Sequence, residues 1–227
     1  MNVTPVERLE ETARLALQNG YQLCVHAIGD RAVRETLDLY ERALGAQAGT
    51  RGQRWRVEHA QHVDGADAPR FARLGVIAAM QGIHCASDGP WVTARIGEAR
   101  AREGAYAWRR LLDAGAVICN GTDAPVEDVD PIANFHASVT RVTRDGTPFF
   151  PRQRMSRQEA LRSCTASPAY AAFEEEEKGT LSPGKLADIT VLSRDILTVP
   201  EDEITRARPL WTIVGGTVTY EAGPGDR

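Results

Sequence analysis

Histidines are scarce in this 227-residue chain, five in all, and two of them directly follow short apolar runs. His26 follows residues 21–25, His59 follows residues 55–58, and Asp123 lies just beyond residues 116–119. If those runs are parallel strands, all three side chains stand at C-terminal strand ends, where barrel enzymes build their active sites. Neutral imidazole and carboxylate are the usual ligands of Zn²⁺ and related divalent cations. Ligands carried on separate strands of one sheet converge without any short sequence spacing. His26, His59 and Asp123 are therefore candidate metal ligands. His84, in Met80-Gln81-Gly82-Ile83-His84, falls on the same rim and could hold a substrate oxygen or a developing oxyanion. Each has a plainer alternative: an ordinary hydrogen-bonded histidine, a turn-forming aspartate, a solvent-facing loop histidine. Asp30 reads as a helix cap, and His62 and His136 read as structural.

The elements that would position these residues alternate. Thr4-Pro5-Val6-Glu7 suggests an N-cap threonine, a first-turn proline and a capping glutamate. Apolar residues at Leu9, Ala13, Ala16 and Leu17 then keep helical spacing up to Asn19-Gly20. A short strand over 21–25 leads to His26. Asp30 heads a helix over 31–44, the strand 55–58 leads to His59, and a helix over 65–74 closes at Gly75. The strand 76–80 is followed by a long insert, 87–104, then a helix over 105–114 and the strand 116–119. Helices alternating with short apolar strands predict parallel βα units. The repeat ends near Asp123, well short of the about 250 residues of a complete eight-stranded barrel. The expected fold is α/β: half of a (β/α)₈ barrel, or a small open sheet.

Beyond Asp123 the pattern changes. Helices are expected over 131–142, over 156–165 with a Ser156–Glu159 capping box, and over 168–173. The run Glu174–Glu177 reads as a solvated helix end. After Gly179 the residues favour strands, over 187–192, 211–214 and 217–220, with Gly215-Gly216 as a two-residue hairpin turn. The chain thus divides into a partial barrel, 1–177, and a β-segment, 178–227.

Composition narrows the function. A formal net charge of −4 leaves no basic footprint for nucleic acid. Apolar stretches such as Val76-Ile77-Ala78-Ala79-Met80 fall far short of the roughly 20 residues that span a bilayer. The N-terminus shows neither a basic nor an apolar leader region, so a cytoplasmic protein is expected. The four cysteines, Cys24, Cys85, Cys119 and Cys164, have no CxxC spacing and read as reduced thiols.

Four motifs in order resemble the amidohydrolase superfamily, and within it amidohydrolase family 3, whose members are similar to N-substituted formamide deformylases. They are His26-Ala27-Ile28-Gly29-Asp30-Arg31-Ala32-Val33, Arg56-Val57-Glu58-His59-Ala60-Gln61, Met80-Gln81 with His84, and Gly121-Thr122-Asp123-Ala124-Pro125. The tail, from Gly179-Thr180-Leu181-Ser182-Pro183-Gly184 to Val214-Gly215-Gly216-Thr217-Val218-Thr219-Tyr220, resembles that superfamily's C-terminal β-segment, part of a composite β-sandwich. The resemblance implies metal ligands at His26, His59 and Asp123, ending the fifth, sixth and eighth strands of a TIM-type barrel. It implies that Asp123 also shuttles a proton and that His84 contacts the substrate. The implied chemistry is metal-assisted hydrolysis of a non-peptide, amide-like C–N bond in a small molecule, with zinc the first choice of metal. The family also uses a His-x-His pair from the first strand and a further ligand from the fourth, which this sequence lacks. The chain therefore reads as a C-terminal half, holding at most one metal, that pairs with an N-terminal half or with itself. The alternative is an inactive remnant that associates through open sheet edges.

Overall fold

The computed structural model describes residues 3–50 and 52–223. α1 (Val6–Gln18) buries Ala13 and Ala16. The expected threonine cap is absent: Pro5 itself occupies the N-cap position and no side chain bonds the first amides. Thr4 therefore stands one residue too early to reach them. β1 (Cys24–Ala27) follows, then α2 (Asp30–Leu44), whose Val33, Leu37, Tyr40 and Leu44 form a buried stripe at helical spacing. Gly29, not Asp30, is the N-cap. Asp30 sits in the first turn, where a carboxylate suits the positive end of the helix, and accepts a hydrogen bond from the Arg31 amide at 2.8 Å.

β2 (Arg56–His59) precedes α3 (Ala68–Leu74), which ends where Gly75 takes a left-handed φ of 70°. β3 (Ile77–Gln81) then runs directly into α4 (Gly82–Ile96) and α5 (Glu98–Gly104). These two helices replace the expected insert over 87–104, so His84 is a helical residue rather than a loop one. α6 (Trp108–Asp113) is shorter than its sequence pattern, and β4 (Val117–Gly121) closes the repeat.

α7 (Pro131–Thr140) is capped by Asp130, which accepts from the Ile132 amide at 2.8 Å. α8 (Arg157–Cys164) carries the expected capping box between Ser156 and Glu159, and α9 (Ala166–Ala171) follows at once. The tail forms β5 (Ile189–Leu192), β6 (Pro209–Val214) and β7 (Thr217–Glu221). Gly215 and Gly216, with φ of 56° and 81°, form the two-residue turn between the last two strands. The glutamate run is not simply solvated. Arg54 lies over the rings of Tyr170 and Phe173, 3.8 and 4.4 Å from their centroids, and its fork meets both Glu175 oxygens.

The four β strands of the repeat form one parallel sheet in the order β1-β2-β3-β4, and the tail forms a three-stranded antiparallel sheet, β5-β6-β7. This is the mixed α/β class expected. In the parallel sheet Val25 pairs with Val57, Val57 with Ala78, and Ala78 with Ile118. Those residues line one face and join the main core with the apolar sides of α1, α2, α3 and α6. Side chains alternate along a strand, so the other face carries His26, Glu58, Ala79 and Cys119. There Ile77, Ala79 and Cys119 pack against Tyr170 and Ala171 in a second, smaller cluster.

Candidate functional site

His26 lies on the face opposite the main core because Val25 and Ala27 point into it. Strict alternation would put His59, paired with Ala27, on the core face. It does not, because the backbone turns left-handed there: φ is 73° at His59 and 41° at Ala60. Such a conformation is costly for a side-chain-bearing residue and collects at functional sites. The turn brings the His59 ring edge-on to His26, with centroids 4.5 Å apart. The His84 ring lies nearly parallel to that of His59, with centroids 6.0 Å apart. Asp123 also has a positive φ, 58°, just past β4. His26, His59, His84 and Asp123 all line one cleft of about 470 Å³. The cleft therefore brings together all four residues singled out from the sequence.

The protonation pattern follows from the partners. His59 Nδ1 lies 2.8 Å from Gln81 Oε1. An amide oxygen only accepts, so Nδ1 donates in this pair and Nε2 is the ring nitrogen left for another partner. Burial pushes the pKa of His26 down, and the neighbouring His59 pushes it further. Burial likewise lowers that of His84, whose Nε2 is buried without a hydrogen-bond partner among the described residues. Neutral imidazoles result, the form in which histidine binds metals. The donor chemistry thus fits a divalent cation at the His26–His59 pair. The set is partial, because among the described residues no three His, Cys, Asp or Glu side chains are grouped to hold a metal ion.

His84 is placed by groups far away in sequence. It occupies the first turn of α4, whose leading amides are held by asparagine side chains. Gly82 N donates to Asn120 Oδ1 and Ile83 N to Asn134 Oδ1, both at 2.8 Å. Asn134 Nδ2 donates to Asn120 Oδ1 at 3.1 Å, and Asn120 Nδ2 donates to Ser138 Oγ at 2.9 Å. This buried network does the work of an N-cap. No local spacing announces it, since the partners sit on β4 and α7.

Two further residues share the cleft lining. His62, taken as structural, lines the same cleft, and its Nδ1 is buried without a partner. Asp88, one turn after His84, accepts from Gln61 Nε2 at 2.9 Å and from Tyr106 Oη at 2.7 Å. Asp30 stays outside the cleft lining, paired with Arg100. His136 stays within α7, as expected.

A parallel α/β sheet that gathers histidines and an aspartate at its C-terminal strand ends has the architecture of barrel-type enzymes. The chain belongs to the amidohydrolase family, whose model matches residues 2–220. It is similar to the protein LONG AFTER FAR-RED 3 of Arabidopsis thaliana, with 37% identity across 97% of this chain and 38% of that protein. It is also similar to the N-substituted formamide deformylase of Arthrobacter pascens, with 30% identity across 94% of this chain and 39% of that enzyme. Among solved structures, an uncharacterized metal-dependent hydrolase from Pyrococcus horikoshii superposes with a TM-score of 0.76 at 30% identity. That match covers 88% of this chain and 39% of the other. The chain therefore spans about two fifths of the length of these relatives.

Proposed function

We propose that this chain carries the C-terminal portion of a metal-dependent hydrolase acting on a non-peptide, amide-like C–N bond of a small molecule. The observation that supports this most is the meeting of His26 and His59, with His84 and Asp123 in the same cleft. His26 and His59 would hold the cation, zinc being our first choice, and Asp123 would complete the ligands this chain offers. When bound, a divalent cation supplies Lewis acidity for a carbonyl and makes water acidic near neutral pH. The Asp123 carboxylate would take the proton of the attacking water and return it to the leaving nitrogen. His84 would donate to the carbonyl oxygen through its unpartnered Nε2, and Gln81 would keep the His59 lone pair turned into the cleft.

Because relatives are much longer, we propose that turnover needs the rest of such a protein, with residues 1–177 completing a barrel and 178–227 a β-sandwich. The test joins this chain to the N-terminal remainder of a relative such as the formamide deformylase. Stoichiometric metal and hydrolysis of N-substituted formamides are expected, both lost in His59→Ala. A folded, metal-loaded fusion inert toward a panel of amides and formamides would sink the reading. The absence of a preassembled three-residue set among the described residues favours a second reading, an inactive piece that associates through edge strands β1 and β4. Metal and turnover in the 227-residue chain alone would exclude it.

A further inference from the structure

The mouth of the cleft differs from its base. Its base is polar, but Ile28, Trp91 and Val126, which line it further out, are large apolar residues left 38%, 48% and 70% exposed. Exposed apolar side chains gathered around a concavity mark a ligand-binding surface more often than an accident of folding. Of the three acids of the same cleft, Asp123 stands with the histidines at the base and the other two are already engaged. Glu127 pairs with Arg144, and Asp88 accepts from Gln61 and Tyr106. The one arginine of the lining, Arg95, is not. It sits one helical turn after Trp91 on α4, its guanidinium 5.9 Å from that ring's centroid, and among the described residues it has no carboxylate partner. A cation in the last turn of a helix is favoured by the helix dipole. That preference accounts for an arginine there, but not for its place on an apolar collar beside an exposed tryptophan.

Resting on the hydrolase reading above, we infer that the cleft selects substrates whose group beyond the C–N bond is an apolar chain or ring ending in an anion, a carboxylate first of all. The apolar body lies along Ile28, Trp91 and Val126, and the carboxylate meets the Arg95 fork. Arg95 determines specificity and takes no part in bond breaking.

The test separates binding from turnover. Hexanoate, 1-hexanol and hexylammonium are titrated into the full chain while the Trp91 indole N–H resonance is followed, assigned by its loss in Trp91→Phe. Hexanoate is expected to bind about tenfold more tightly than hexanol, the worth of one charge-assisted hydrogen bond. Arg95→Gln should erase that preference and leave hexanol binding unchanged, and Arg95→Glu should turn it toward hexylammonium. Both variants change an exposed side chain, so unaltered far-ultraviolet circular dichroism is expected. Equal affinity for hexanoate and hexanol, no shift with hexanoate, or a preference that survives Arg95→Gln would overturn the inference. Hydrolysis of 6-formamidohexanoate against N-hexylformamide by the fusion supplies the other arm. A binding preference without turnover would fail the hydrolase reading and leave the cleft assignment standing; turnover of both without preference would do the reverse.

Discussion

At the scale of single residues, the most exacting side chain outside the cleft is Arg141, which is fully buried and, among the described residues, has no carboxylate partner. Its Nε donates to Phe149 O and its Nη1 to Tyr106 O, both at 2.8 Å, and Nη2 reaches Ala105 O at 3.3 Å. The guanidinium also lies 4.6 Å from the Trp108 ring centroid. Burial drives its pKa down. Tyr106 O also accepts from the Trp108 amide at 2.8 Å, but Phe149 O and Ala105 O would lose the guanidinium donor inside the core, so Arg141→Leu should cost about 3–5 kcal/mol, read as a lower urea midpoint at unchanged slope. Arg141→Lys should recover only part, because an ammonium cannot reproduce the planar fork. In sequence Arg141 is one more arginine at a helix end, and nothing marks it as internal. The cleft histidines were legible for the opposite reason. His26 and His59 each end an apolar run, and a strand end is an address that sequence spacing reveals. His62 carries no such address, and its place in the cleft lining is not legible from spacing.

At the scale of elements, the largest departure from the sequence pattern is α4. Ser87, Asp88, Gly89 and Pro90 open the insert expected over 87–104, yet they lie within a 15-residue helix. The glycines are there for contact rather than flexibility. A Cβ on Gly82 would come within 2.1 Å of Ser138 Oγ, and one on Gly89 within 2.3 Å of Thr143 Cγ2. Two turns apart, they form one bare stripe against α7 and the segment after it. Gly82→Ala should therefore destabilise by about 1–3 kcal/mol although alanine is the better helix former. Adding Ser138→Ala should recover only part, since Asn134 O also stands 3.0 Å away. Thermal unfolding of the single and double variants measures both. Helix caps written in neighbouring residues were readable, as at Ser156 with Glu159. A helix whose glycines answer to a partner 50 or so residues on was not, because periodicity sees only one element at a time.

At the scale of the whole molecule, many charges are tied between elements, and this sets its response to acid. The Arg109 fork holds Glu159 at about 2, and Arg73 with Arg70 holds Glu41 at about 2. Both are depressed carboxylates. Their contribution to stability is full above the unfolded value near 4.5 and disappears as pH falls toward 2. The stability difference between wild type and Glu159→Gln should accordingly be constant from pH 7 to 5 and shrink to nothing by about 2. A gap that persisted at pH 2 would mean that Glu159 acts through packing instead. The overall class, parallel βα units followed by a β tail, was legible because strand and helix periods differ and alternate cleanly. The covering of the sheet's second face by Tyr170 and Ala171 was not, since those residues follow the repeat and carry no sign of which face they meet.

The asparagine network at the start of α4 also makes that helix report on the cleft. The first amides of a helix ordinarily exchange with solvent deuterium quickly, having no partner within the helix. Those of Gly82 and Ile83 are bonded inside the protein to side chains of β4 and α7. They can exchange only when those elements part, so their exchange rate times the opening of the very wall that carries His84.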